Sequence, residues 1–314
     1  MGSRCRRGRV LSKDSAARRR RHLCTRRSTA IITIVSTNLL DYDGVDPDQT
    51  DRSCELEVLL RNQNPDIIAV QELISSGNDK REAATIALHK LAEDLGLRCT
   101  VNGVPAVALS RTRHHTGLLW REEIDVVDLM RYDSDDYSIS HGMTVAVFDL
   151  GGPKLKVGSV HLSHFDPGLS GGWQDTGQVM RAFNRDQVPG LACGDWQGIG
   201  ADEDYDADPY AGVPWDPSHA YHYDLNGNVD RHAAIRLERH GRFRDCARIA
   251  GANWQATTGH HATDTNQPRR IDRIYATHHF PDAALISFRT VDPEVVGQCT
   301  DHCPVLVEVD QTGL

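Results

Sequence analysis

The chain has 314 residues, 39% of them hydrophobic and 25% charged, which is enough for a sizeable core without disulfide staples. Its formal net charge of -9 is unevenly spread: residues 1 to 30 hold eleven of the 35 Lys and Arg but a single acid, leaving 24 bases against 43 acids, net -19, in the rest. A body that acidic should repel a polyanion over most of its surface, so broad electrostatic capture of duplex DNA is not expected unless a local basic groove or a bridging cation overrides it, and no run approaches the ~18 apolar residues of a membrane span.

Residues 1–29 include ARRRRHLCTRR at 17–27, superficially a twin-arginine export signal. The apolar run after it, AIITIV, is short and continues into a strand-like segment. A disordered basic tail or an over-long start is therefore expected, with a cytoplasmic location and a monomer. Residues 30–312 are expected to form one domain.

In chain order, TAIITIVSTNLL reads as a buried strand ending near Asn38. TDRSCELEVLLRNQN (50–64) follows as a helix with Leu56, Leu59 and Leu60 on one face, a Thr50 or Asp51 cap, and Pro65 as its stop. IIAVQEL (67–73) is a second apolar strand, and DKREAATIALHKLAEDLG (79–96) a second helix closed by Gly96. Strands at 106–110, 117–121, 143–150 and 155–162 come next with turn-like gaps and no helix between them, which favours antiparallel pairing. Helical spacing returns at 171–186, a buried strand at 190–196, a short helix at 233–241, and strands at 270–277, 284–291 and 304–309. Residues 198–231, rich in Asp, Tyr, Pro and Gly, form a long insertion, either a lid over a site or a floppy loop.

Nearly every apolar strand carries one acid, amide or histidine at its C-terminal end or at the entry to the next: Asn38, Glu72, His161, Asp195 with Gln197, Asp272, and Asp301 with His302. A lone buried carboxylate costs several kcal/mol unless it is paired or meets a cation, so such a set implies a shared polar focus. Strand ends are also where open α/β sheets place ligands. Carboxylates with amides and histidines, and few thiols, suit Mg²⁺ or Mn²⁺, and phosphoesters are the natural substrates of such a site.

The segment QCTDHCPV (298–305) reads as half a zinc site, half a disulfide, or an Asp-His pair entering a strand. The eight cysteines form no C-x-x-C pair, and Cys54, Cys99, Cys193 and Cys246 read as isolated buried thiols. His219, His222 and the doublets at 114–115, 260–261 and 278–279 lack zinc spacing and read as surface histidines. DEDYDAD (202–208) and DLNGNVD (224–230) lack the Gly and Glu of a calcium loop and read as solvated acidic loops.

The segments STN, PDIIAVQE, SVHL, CGDWQ, RIDRIY and TDHCPV, in this order over residues 30–309, resemble the endonuclease/exonuclease/phosphatase, or deoxyribonuclease I-like, superfamily. The resemblance implies a four-layer α/β/β/α sandwich of two packed sheets with helices outside, and metal-dependent phosphoester hydrolysis by an activated water. It implies Glu72 as a metal ligand, with Asn38 beside it and Asp301 supporting the metal side. His302 would form a base-side dyad with Asp272, the carboxylate fixing the imidazole tautomer, Asp195 would orient or deprotonate water, and His161 would touch the phosphate or protonate the leaving oxygen. Gln197 and Arg111, the latter in an LSR-like segment, would contact phosphate. On this reading QCTDHCPV is an Asp-His pair and its cysteines are bystanders.

Two positions depart from the family pattern: Gln197 stands where an Asn is usual, and Leu40 where many nucleases carry a further metal-binding acid. Three functions remain open: a Mg²⁺- or Mn²⁺-dependent phosphodiesterase acting on DNA or RNA, a hydrolase of a small or lipid phosphoester, which the -19 body favours, and a non-catalytic binder that kept the fold.

Overall fold

The structure is a computed structural model that describes residues 30–44, 46–74, 79–163 and 171–314. The expected basic tail lies outside the described residues.

Strand β1 (Ile31–Tyr42) is followed by helix α1 (Thr50–Asn62), strand β2 (Ile67–Leu73) and helix α2 (Lys80–Leu95). With a helix crossing between them, β1 and β2 pair in parallel. The α2 boundaries follow the sequence signals: Asp79 accepts from Arg81 N (2.9 Å) and Glu82 N (3.1 Å), and Gly96 closes the helix in the left-handed region. The α1 start differs from expectation. Neither Thr50 nor Asp51 caps it, because a 3-10 turn at Pro47–Gln49 runs straight into the helix and Gln49 makes no side-chain cap bond.

A small hairpin of β3 (Thr100–Val101) and β4 (Val104–Pro105) leads to β5 (Val107–Ala108), β6 (His115–Trp120), β7 (Asp125–Tyr132), β8 (Met143–Asp149) and β9 (Lys154–His161). Helix α3 (Gly171–Asn184) precedes β10 (Gly190–Asp195), and β11 (Arg244–Asp245), β12 (Asp272–Ala276), β13 (Leu285–Thr290) and β14 (Val305–Asp310) complete the strands. One six-stranded sheet has the order β13-β14-β1-β2-β6-β5, the other β11-β12-β10-β9-β8-β7. Antiparallel pairing holds for β5–β6 and β8–β9, but β6 and β8 belong to different sheets. Strand β7 was not expected; as an edge strand with most residues exposed or half-buried, DVVDLMRY carries no apolar alternation to betray it.

The sheets face each other across a core that includes Ile34, Ile67, Leu118 and Trp120 from one side and Phe148, Leu155, Val157, Leu191 and Ile274 from the other. On the outer face of the first sheet, Leu56 and Leu60 of α1 and Leu88 and Leu91 of α2 cover Val35, Ile68 and Val70. Val179 and Phe183 of α3 cover Val145, Val160 and Ala192 on the second. The result is the expected four layers. Central strands buried on both faces read as continuous apolar runs, which is why they were visible in the sequence.

Parallel β1 and β2 end at the same edge of their sheet, as do parallel β9 and β10, while antiparallel β12 begins there. Asp195 is thereby in register with His161 on one side and Asp272 on the other. Buried Gln71 donates through Nε2 to Ser159 Oγ (2.9 Å), and that hydroxyl donates to Val70 O (2.7 Å), tying the two sheets together just behind this edge.

Residues 198–231 are tied to the body by specific contacts and are not a floppy insertion. A 3-10 turn forms at Pro217–His222, Tyr210 stacks on His219 (4.2 Å between centroids), and Arg273 donates to Gly198 O (2.7 Å). Asp206, inside the acidic run, is buried and takes Arg270 (3.2 Å) and Trp254 Nε1 (3.1 Å), while Asp224 closes a tight turn onto Asn226 N and Asn228 N. Two further expectations are corrected by packing. His115, His219 and His222 are buried, the first accepting from Ser110 N at Nδ1 (2.9 Å), and Cys54 is exposed on α1.

Candidate active site

At the shared strand edge, the Asn38 amide nitrogen donates to Glu72 Oε1 (3.0 Å) and to Asp195 Oδ2 (3.1 Å), so one side chain joins carboxylates carried by the two sheets. Its Oδ1 accepts from Leu40 N (3.0 Å), and Asp41 N donates to Glu72 Oε2 (3.3 Å). Leu40, Asp41 and Glu72 all have left-handed backbones (φ 51°, 54° and 60°), a costly conformation for side-chain-bearing residues that concentrates at functional sites.

Gln197 also has a left-handed backbone (φ 51°), and it turns back onto Asp195. Its N donates to Asp195 Oδ1 (2.9 Å) and its Nε2 to Asp195 Oδ2 (2.7 Å), with His161 Nε2 3.4 Å away. His302 Nδ1 lies 2.8 Å from Asp272 Oδ2, which leaves Nε2 facing Asp195 Oδ2 at 3.8 Å. Thr300 Oγ donates to Asn38 O (2.8 Å) and so fixes the His302 loop to the end of β1.

Asn38, Glu72, His161, Asp195, Gln197, Asp272 and His302 are therefore brought together. Asp301 stands at the margin, half-buried, with Oδ1 3.9 Å from His302 Nε2. Arg111 does not join them: it is exposed and its Nε donates to Ser134 O (3.1 Å). Cys299 and Cys303 are buried free thiols, and Trp196 is core, donating to Arg273 O (3.0 Å) edge-on to Tyr275.

Burial raises the Glu72 and Asp195 carboxyls, against the pull of His114 on the first and of His302 on the second. His302 moves the other way. Burial opposes its charge, but Asp272, Asp195 and Asp301 outweigh it and hold the imidazole protonated well above its ordinary range. Two carboxylates that share one amide, both disfavoured as anions by burial, are a donor set that a divalent cation would stabilise.

Four residues of this region were not singled out as site residues from the sequence. Asp41, whose Oδ2 takes Arg113 (2.6 Å), sits against His114, with Nε2 2.9 Å from Oδ1; the Glu72, Asp41 and His114 donor atoms lie within 4.8 Å of one another. His141 is buried and stacks on His161 (4.2 Å between centroids, 17° apart). Asp175 on α3 accepts from Ser140 N (2.9 Å), Ser140 Oγ (3.2 Å) and Ser163 N (2.9 Å), fastening the loop that carries His141 to the end of β9.

Burial pushes the Asp175 carboxyl up to about 7, against the pull of these three donors and of Arg111. Between the ordinary carboxylate value of about 3.9 and this raised one, the unfolded chain has released a proton that the folded chain keeps. Stability attributable to this group therefore falls as pH rises through that window and levels off above it. Asp175→Asn is expected to remove the slope, its unfolding free energy improving relative to the parent by on the order of a few kcal/mol across the window. Denaturant melts at a series of pH values check this; curves that stay parallel would refute it.

Two mixed sheets packed face to face between helices, with acids and imidazoles gathered at one common strand edge, define the deoxyribonuclease I-like fold class. The chain belongs to the Endonuclease/Exonuclease/phosphatase family, whose family model matches residues 47–302. Among solved structures it is similar to truncated Caenorhabditis elegans TDP2 (TM-score 0.58, 14% identity, covering 89% of this chain and 97% of that one). It is also similar to a mannosyl-6-phosphatase of Bacteroides thetaiotaomicron (0.57, 14%, 88% and 98%) and to a functionally unknown conserved protein from Enterococcus faecalis (0.59, 14%, 88% and 99%). At such identity the likeness is one of fold. No curated protein matches. Family membership supports phosphoester hydrolysis as the reaction class, and among the described residues no helix is long and apolar enough to cross a membrane.

Proposed function

We propose that the chain is a divalent-metal-dependent phosphoester hydrolase acting through Glu72, Asp195, Asp272 and His302. The observation that carries this reading is convergence: the Asn38 bridge between Glu72 and Asp195 and the Asp272–His302 pair meet at one edge although they come from opposite ends of the chain.

Glu72, with Asn38 and Asp301 nearby, would hold the cation, Mg²⁺ or Mn²⁺. When bound, it polarises the phosphoryl group and offsets the charge that builds there. Asp272 fixes the His302 ring, so the protonated Nε2 presents a charged donor to a phosphoryl oxygen. Asp195, held by Gln197 and raised by burial, orients a water and takes its proton. His161, steadied from behind by His141, supports the leaving oxygen.

The ordered motif set favours a phosphodiester such as DNA or RNA as substrate. A small phosphoester is the second reading, favoured by the -19 body outside residues 1 to 30. Tyr221, from the 198–231 loop, lines a small cavity with Trp173, Gln197 and His232 beside the end of β10. The test is a screen with Mg²⁺ and Mn²⁺ against plasmid DNA, RNA, a bis-ester chromogen, and sugar or nucleotide monoesters, with Glu72→Ala as control. Metal-dependent cleavage lost in the variant is expected; cation binding without hydrolysis of any ester would leave a binding protein that kept the fold.

A further inference from the structure

The geometry points to a nitrogen-containing metal pocket made by Glu72, Asp41 and His114, which makes the cation of this site a transition ion of the Mn²⁺ class in preference to Mg²⁺. This rests on the reading above that the site takes a divalent cation, and it deepens that reading by naming the ion class and two ligands.

Asp41 lies one residue beyond Leu40, the position where many family nucleases carry an acid, and the left-handed pair Leu40–Asp41 brings the Asp41 N–H onto Glu72 Oε2 (3.3 Å). The three donor atoms lie within 4.8 Å of one another. In an octahedron with bonds of about 2.1 Å, neighbouring ligand atoms stand about 3.0 Å apart and opposite ones about 4.2 Å. The 2.9 Å between His114 Nε2 and Asp41 Oδ1 is close to such an edge, so the pair can share an ion with small adjustment.

Arg113 matters here because it pairs with the other Asp41 oxygen at 2.6 Å. The carboxylate keeps a cationic partner when His114, as neutral imidazole, turns its nitrogen onto a metal. The neighbouring cluster of Glu72, His161 and Asp195 suits an ion less well, since Gln197 Nε2 already donates to Asp195 Oδ2 and stands 3.4 Å from His161 Nε2. An all-oxygen set is the usual home of Mg²⁺, which also dehydrates reluctantly; an imidazole shifts preference toward Mn²⁺ and the later ions of the first row.

The experiment is calorimetric titration of the purified protein with Mn²⁺ and with Mg²⁺, together with pulsed electron paramagnetic resonance of the Mn²⁺-loaded form. The parent is expected to bind Mn²⁺ at least about tenfold more tightly and to show nitrogen modulation from an imidazole. Losing even a supporting partner of a ligand costs about 10–100-fold in affinity, so His114→Ala should weaken Mn²⁺ binding by at least about tenfold, leave Mg²⁺ binding within about threefold, and abolish the modulation. His114→Asn, which keeps a polar side chain beside Asp41, should behave alike, and thermal melts of the metal-free variants show that they fold. Nitrogen modulation that persists in both variants, or a parent without Mn²⁺ preference, overturns the inference while leaving the hydrolase reading intact. Absence of any Glu72-dependent cation binding overturns both.

Discussion

Replacing His302 with alanine is expected to lower kcat for phosphoester hydrolysis by about 10²–10⁴-fold, the usual contribution of a positioned acid–base side chain. KM and cation affinity should change little, because Nε2 points at Asp195 and not into the Glu72–Asp41–His114 cluster. The argument is electrostatic. Burial alone would strip the ring of its proton, yet Asp272, Asp195 and Asp301 hold it charged, and a buried cation beside a developing phosphoryl charge acts where water cannot screen it. Asp272→Asn tests the same pair from the other side: the 2.8 Å contact survives in shape but no longer favours the protonated ring, so kcat should fall while the protein stays folded. Steady-state kinetics decide; a His302→Ala enzyme within tenfold of the parent kcat would remove the imidazole from the chemistry.

Arg270→Ala is expected to cost about 3–5 kcal/mol of unfolding free energy, the range for breaking a buried pair by removing one partner. Arg270 is buried, grips Asp245 with both terminal nitrogens (2.7 and 2.8 Å) and reaches Asp206 at 3.2 Å. Removing it strands two carboxylates that are themselves buried, and Arg273, at 3.6 Å from Asp206 and 3.8 Å from Asp245, is too far to replace a bidentate clasp. Asp206 also anchors the loop at 198–231, so limited proteolysis should open first within that loop. Urea melts check the magnitude; a loss below about 1 kcal/mol would show that Arg273 alone suffices.

Much of the fold was legible because the central strands are buried on both faces, so that β1, β2 and β10 appear as mainly apolar runs. Against such runs, polar residues at the ends, Glu72 and Asp195 for example, stand out without any knowledge of contacts. Asp41 was missed because the signal sought was an acid at position 40, and only the left-handed turn after Asn38 makes the next residue face Glu72. His114 was hidden in RHH, a doublet whose two members have opposite environments, one in the core and one beside a carboxylate. The 198–231 loop was unreadable for a related reason. Its order depends on partners such as Arg270, 64 positions from Asp206, and no local periodicity records a contact of that separation. Strand β7 and the buried His219 and His222 fall in the same class: tertiary placement, and not residue type, decides their surroundings.

The Asn38 amide and the Gln71–Ser159 bond have a mechanical meaning. Oily faces attract each other but resist sliding poorly, since one alignment of methyl groups is nearly as favourable as the next. Directional bonds at the rim act as dowels: they index one slab against the other where Glu72 and Asp195 must lie side by side. Substitutions deep between the slabs can then reshuffle side chains while the rim keeps its spacing, so tolerance in the interior and exactness at the edge coexist in one molecule.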